Sequence, residues 1–329
     1  MKKFNLFIFF CLMSFFLHAQ TLGVLVKDKP NSFRGLSVVN DEVLWVSGSK
    51  GLVGKSVDGG KTFSWMTVKG FENTDFRDIE AFDEQTALIM GISEPAFILK
   101  TVDGGSNWNI VYENYDKGMF LDAMDFYDLK NGVVVGDPME GIFFTAQTSD
   151  GGNTWQKGYR TYTALDGEAC FSSSGTNIRL FNTKESILIT GGLHSRILMK
   201  NKSVILPIVQ GKETTGANSV ALNKSHKKII VVGGDFMAKD SITGNCVLSY
   251  DGGKTFELPK IAPHGYRSSV EYLWKKTWIS CGLNGVDFST DDGNSWEWIS
   301  KESFHVVRKA KKGKSVYFAG NGKIGKLVD

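Results

Sequence analysis

The chain has 329 residues, with 38 Lys and Arg against 35 Asp and Glu, 37 Gly, 6 Pro and 12% aromatic residues. So even a balance gives no extensive basic surface, which argues against nucleic acid or an anionic membrane as the main partner. Four cysteines, none paired at metal-ligand or Cys-x-x-Cys spacing, argue against a disulfide scaffold, a zinc site and a thiol redox motif.

Residues 1–20 read as a secretory signal peptide. Lys2 and Lys3 supply a basic start, FNLFIFFCLMSFFL is an apolar run below the ~18 residues of a membrane span, and HAQ is a small-residue exit cut near Ala19 or Gln20. The mature chain is therefore expected to be exported, periplasmic or secreted, with no membrane span left. Removing the leader lowers the formal charge of +3 by the two lysines and leaves Cys170, Cys246 and Cys281.

From residue 21 onwards the chain repeats. TLGVLV is a lone strand; FRGLSVVN, EVLWVSGS, GLVGKSVDGG and KTFSWMTV then form four runs of period-2 hydrophobicity separated by Asn, Asp and Gly turns. The last turn belongs to an octapeptide box that recurs as SVDGGKTF, TVDGGSNW, TSDGGNTW, SYDGGKTF and STDDGNSW, centred on Asp58, Asp103, Asp150, Asp251 and Asp291. The steps are 45, 47, 101 and 40 residues, so the long one spans two periods, and the eroded copy falls at Met199–Pro207. Four short strands every ~40–50 residues predict a propeller blade.

Units start near Phe33, Phe76, Phe120, Glu168, Ala217, Tyr266 and Phe304. The predicted fold is all-β: a seven-bladed β-propeller of four-stranded antiparallel blades, one domain over residues 21–329. The last unit holds three strands, and the lone N-terminal strand is expected to supply its fourth and close the ring.

The box is turn chemistry. Asp accepts bonds from nearby backbone N–H groups, and Gly takes the φ > 0 conformation that other residues resist. Each copy carries one acid (Asp292 being a lone extra), where a calcium loop needs several at alternating positions, so a structural role is expected and no metal. The basic stretches KSHKK (Lys224–Lys228) and RKAKKGK (Arg308–Lys314) fall at strand-to-strand turns and read as solvated turns.

The box pattern Ser/Thr-x-Asp-x-Gly-x-Thr/Ser-Trp/Phe resembles the Asp-box, or BNR, repeat of sialidases and many non-enzymatic propellers; Asn107 departs from it at the hydroxyl position. The longer segments SFRGLSVVNDEVLWVSGSKGLVGKSVDGGKTF, DFRDIEAFDEQTALIMGISEPAFILKTVDGGSNW, GEACFSSSGTNIRL and GYRSSVEYL are similar to a group of exported bacterial proteins. That group is related to the photosystem II stability/assembly factor. The resemblance runs over the mature chain and implies a propeller with a binding role; the oxidoreductase label often given to the group has no cofactor motif behind it here, and no cofactor is expected.

Inner strands of a propeller start at one face, which they share with the second-to-third strand loops, and the boxes lie on the other. Aligning SFRG, DFRD, GYRS and SFHV puts Arg34, Arg77, Arg267 and His305 at one mouth of the channel. Asp78, Asp122 and Glu168 join them from blade starts, with Glu94, Asp137, Glu140 and Asp235 from loops and His194 and Arg196 from GGLHSR. A ring of guanidinium forks suits carboxylate or phosphate groups; alternatively, the arginines pair with these acids and line a wet channel.

Three functions follow. The first is a non-catalytic scaffold that binds a protein, a peptide or a small anionic ligand at the loop face, as an assembly or stability factor. The second is a sialidase-like glycoside hydrolase, with Arg34, Arg77 and Arg267 as a triad and Asp78 or Asp137 as the acid, although the Phe-Arg-Ile-Pro motif is replaced by SFRGLS. The third is a redox enzyme, as the label has it.

Overall fold

The computed structural model describes residues 20–200 and 202–328; apart from Gln20, the expected signal peptide lies outside the described residues. Seven antiparallel sheets form the blades of a β-propeller. Blade 1 comprises, from the channel outwards, Phe33–Val38, Leu44–Gly48, Leu52–Ser56 and Ser64–Thr67. The other inner strands are Phe76–Ala81, Leu121–Phe126, Ile178–Asn182, Thr215–Leu222, Ser269–Trp274 and Val306–Lys309. In blade 5 the outer position is held by a bridge between Leu248 and Glu257.

The N-terminal strand Thr21–Val26 pairs antiparallel with Lys323–Val328, with Thr21 opposite Val328, and completes blade 7. One blade thus joins the two ends of the chain, which closes the ring against opening between its first and last blades. Among the described residues no helix is long and apolar enough to cross a membrane.

Blades pack face to face, so their middle strands are buried on both sides and carry near-continuous apolar runs. Leu44–Gly48 and Ala87–Gly91 are buried at every residue. There is accordingly no single core: each of seven apolar clusters joins two neighbouring blades. The box aromatics belong to these seams. Trp108 meets Trp45 edge-on at 6.4 Å and Trp155 meets Phe126 at 6.0 Å.

Each box ties its own turn. Ser56 Oγ donates to Asp58 Oδ1 at 2.8 Å and accepts from Gly60 N–H at 2.9 Å; the Thr62 hydroxyl donates to Asp58 Oδ2 at 2.6 Å. Gly60 sits at φ 85°, where a Cβ would be strained. In the second box Asn107 Nδ2 donates to Asp103 Oδ2 at 2.8 Å, so the amide replaces the missing hydroxyl. These bonds hold Asp58 and Asp103 down at about 2, the Thr62 and Asn107 donors being the largest causes.

Blade 4 departs from the expected boundaries. Its inner strand begins at Ile178 rather than near Glu168. Glu168–Ala169 is instead a short strand on Gly191–Gly192, because the Glu168 carboxylate is held by Arg196 and the following residues cross the ring. The eroded box has gone altogether: its strands pair directly from Met199 to Lys202.

Ser56→Ala is expected to lower stability by about 1–3 kcal/mol in denaturant titrations, since it leaves the buried Gly60 N–H unpaired. The box carboxylates, depressed in the folded state, stabilise it above the ordinary Asp range and lose that contribution as pH falls towards 2. Carboxyl NMR should therefore show Asp58 and Asp103 titrating about two units below free Asp.

Candidate functional site

The register of the blades decides which residues face one another at the channel mouth. Phe33 pairs with Gly48, Phe76 with Gly91, Leu121 with Gly136 and Ala217 with Gly233; each is followed by one unpaired residue, namely Arg34, Arg77, Asp122 or Asn218. In blade 7 Val306 pairs with Ala319, next to Gly320, which places His305 in the same position. In blade 6 Ser269 pairs with Cys281, next to Gly282, so Ser268 takes this position and not Arg267.

Arg267 is therefore one residue out of the expected ring. It stands where the other blades carry Phe33 or Leu121 and is 0% exposed. Its guanidinium pairs with the buried Asp287 and donates to Tyr266 O at 2.8 Å and Asn284 Oδ1 at 2.6 Å. An Arg triad of the sialidase kind is not assembled.

The channel is filled by its own chain. Between the short strand Glu168–Ala169 and blade 4, residues 171–177 (FSSSGTN) cross the ring and descend along it. Ser172 Oγ accepts from Arg77 Nη1 at 2.9 Å, and Ser173 O from Arg34 Nη1 at 3.4 Å. Deeper, Ser173 Oγ donates to Asn218 Oδ1 at 3.0 Å, Ser174 Oγ to Ser268 O at 2.7 Å, and Ser174 O accepts from Arg308 Nη2 at 2.9 Å. Gly175, at φ 63°, lies so close to Asp78 that a Cβ there would be 2.3 Å from the carboxyl carbon.

This plug divides the channel. Above it lies a recess of ≈ 450 Å³ floored by Ser172 and Ser173 and walled by Arg34, Arg77, Asp137 and the aromatics Phe120, Phe171, Phe236 and Tyr266. Phe236 links two of these rings edge-on, at 6.1 Å to Phe171 and 6.3 Å to Tyr266. Below it, on the box face, is a cavity of ≈ 360 Å³ in which Arg179 and Arg308 stand among Glu80, Asp125 and Glu271.

In the upper recess the positive charge is poorly matched. Arg77 Nε donates to Asp75 at 2.8 Å. Arg34 makes one long hydrogen bond and no ion pair among the described residues; burial and then the neighbouring Arg77 charge lower its pKa. His305 Nε2 lies 3.2 Å from Ser32 Oγ, and burial, then Arg34 and Arg77, pull its pKa down to about 3, so it is neutral. Mutually repelling cations with free N–H groups in a partly desolvated recess favour an incoming anion.

The acids behave differently from one another. Asp122 is 0% exposed, and neither of its oxygens has a hydrogen-bond partner among the described residues. Burial, then the Asp137 charge, holds its pKa well above the ordinary range, opposed by Arg77. Asp137 accepts from Cys170 N–H at 3.0 Å. Asp78 lies below the mouth, accepting from Met124 N–H at 2.7 Å, and burial pushes it up to about 7.

The other candidates lie in outer loops and contacts. Arg196 makes a two-pronged pair with Glu168, with Nε to Oε1 at 2.8 Å and Nη2 to Oε2 at 2.5 Å. Glu94 accepts from Gly118 N–H at 2.5 Å, Asp235 lies 3.8 Å from Lys212, and Glu140 and His194 are exposed. The sequence reading missed Phe171, Phe236 and the serines of the plug; a run of three serines where a strand was expected was the available signal. Among the described residues no group of three or more His, Cys, Asp or Glu is placed to hold a metal.

No protein-family model and no curated protein matches the sequence. Solved structures do match. The chain is similar to a YCF48 solved bound to a D1 peptide, with a TM-score of 0.66 at 13% identity over 95% of this chain and 96% of that one. It is similar to YCF48 from Cyanidioschyzon merolae, with a TM-score of 0.65 at 16% identity over 93% and 98% of the two chains. The Pan2 WD40 domain of Neurospora crassa follows at 0.62 and 12% identity, over 95% and 97%. What these share with the chain is the fold.

Two outcomes test this site. Gly175→Ala forces a side chain into the Asp78 carboxyl at a left-handed backbone position and is expected to cost about 1–3 kcal/mol in denaturant titrations. For Asp122, a folded pKa above the unfolded value makes wild-type stability fall as pH rises past ~4, by up to ~1.4 kcal/mol per unit. Asp122→Asn removes that slope, so the variant should gain on wild type as pH rises above ~4.

Proposed function

We propose that the chain is a non-catalytic propeller that binds a peptide segment of another protein in the recess above the plug, as an assembly or stability factor outside the cytoplasm. The observation that carries this reading is Arg34: a largely buried guanidinium with one 3.4 Å bond and no ion pair among the described residues, beside a second arginine. Such a group awaits an acceptor, and the flanking Phe171, Phe236 and Tyr266 offer apolar surface for the rest of a peptide.

Two further points support it. A propeller similar in fold was solved with a D1 peptide bound. Residues 1–20 read in sequence as a signal peptide, and an exported chain would meet its partner among envelope or secreted proteins. The arrangement does not assemble the expected hydrolase set: Arg267 is tied to Asp287, and of the two candidate acids Asp78 lies below the plug's upper end while Asp137, in the recess wall, accepts from Cys170 N–H.

The test is a displayed library of acidic, aromatic-containing peptides selected on the mature protein, followed by anisotropy titrations. Replacing both Arg34 and Arg77 with Ala should weaken selected peptides by at least ~10-fold, about 1.4 kcal/mol, in a protein whose circular dichroism shows it folded at the assay temperature. Selection of no peptide, or equal binding by the double variant, would overturn the reading.

A further inference from the structure

The two basic turns, unremarkable in sequence, come together in space with a third. On the box face, blades 6 and 7 flank a groove of ≈ 900 Å³ built from the turn after Ser269–Trp274, the turn after Val306–Lys309 and the end of Lys323–Val328. Five lysines line it: Lys224, Lys275, Lys309, Lys314 and Lys326. None of the five forms an ion pair among the described residues. Asp41, at the same turn, accepts from the backbone N–H groups of Lys314 and Ser315, both at 2.8 Å.

Between the lysines the wall is apolar. Trp274 is 37% exposed and Val328 40% exposed, with Leu273, Val316 and Leu327 beside them. Lys224, Tyr272 and Lys309 also line the cavity at the box end of the channel, so groove and cavity are neighbours. The plug separates both from the arginine recess.

We infer that this groove is a second binding site, independent of the recess, for an extended acidic peptide segment that alternates carboxylate and apolar side chains. Lysine ammonium groups are donors only, which suits a ligand whose polar groups only accept. A neutral glycan would also need acceptors, and the lysine side chains offer none. The near-even charge of the whole chain, 38 basic against 35 acidic residues, gives no field for a long nucleic acid. The apolar residues lie between lysine walls in a concave groove, which suits a strand laid into it better than a membrane surface laid across it. The volume is at the upper end of what a single ligand pocket offers.

The test uses the mature protein and a fluorescein-labelled eight-residue peptide alternating Glu and Leu, read by anisotropy and by Trp fluorescence. The peptide should bind at low salt, weaken at least ~10-fold between 50 and 500 mM NaCl, and lose at least ~10-fold in a Lys275→Gln, Lys314→Gln double variant. Both side chains are exposed, so the thermal midpoint of that variant checks its fold. The Gln/Leu version of the peptide should not bind. The Arg34→Ala, Arg77→Ala protein should bind the probe undiminished, which separates this site from the recess. Absence of binding, binding untouched by the lysine changes, or tighter binding of an oligo-dT or of vesicles with 30% phosphatidylglycerol would each overturn the proposal.

Discussion

A polar segment lies in the middle of the ring, and its hydroxyls find partners there, while the buried Asn177 side-chain amide has none among the described residues. Unpaired groups buried away from water cost as much as the bonds they lack. Ser172, Ser173, Ser174 and Thr176 are buried, and their hydroxyls and carbonyls are met by Arg77, Arg34, Asn218, Ser268, Ser219 and Arg308, from the inner ends of five blades. The inner strands are therefore not interchangeable. Blades 1, 2 and 7 supply donors, blades 5 and 6 supply acceptors, and the close approach of Gly175 to Asp78 sets how deep the segment sits.

That constraint makes two surfaces out of one channel. Above the plug, burial and like charge act together on Arg34, and the same two causes neutralise His305. Below it, Arg179 and Arg308 stand among carboxylates, so the lower cavity largely matches its own charge. Positive excess appears again outside the channel, where the turns of blades 5, 6 and 7 bring their lysines together. The boxes serve neither surface chemically; their carboxylates are saturated by hydroxyl and backbone donors, and their aromatics fill the seams between blades.

Much of the architecture was legible because it is local. A box needs only its own eight residues to close, and period-2 hydrophobicity needs only the strand that carries it, so blade number and ring closure follow from spacing. The two misplacements were non-local. GYRS was matched to SFRG by its aromatic and arginine, yet the residues that fix the register are Gly48 and Gly282, which crowd the backbone of Ser32 and of Tyr266 respectively. Anchoring on those glycines shifts Arg267 by one and sends it into the blade, towards an Asp287 that no spacing rule links to it. Blade 4 was begun ten residues early because nothing in FSSSGTN announces that it runs through the channel. The meeting of three lysine-bearing turns was hidden likewise, since Lys224, Lys275 and Lys314 come from three different blades.

Hydrogen exchange of the backbone amides of residues 171–177 tests the central claim most directly. A plug held by five blades should exchange as slowly as Leu44–Gly48 or Ala87–Gly91, and should open only with global unfolding. Exchange of this segment at the rate of exposed loops such as 116–118 would contradict it, since the channel would then be open and the arginine recess would have no floor.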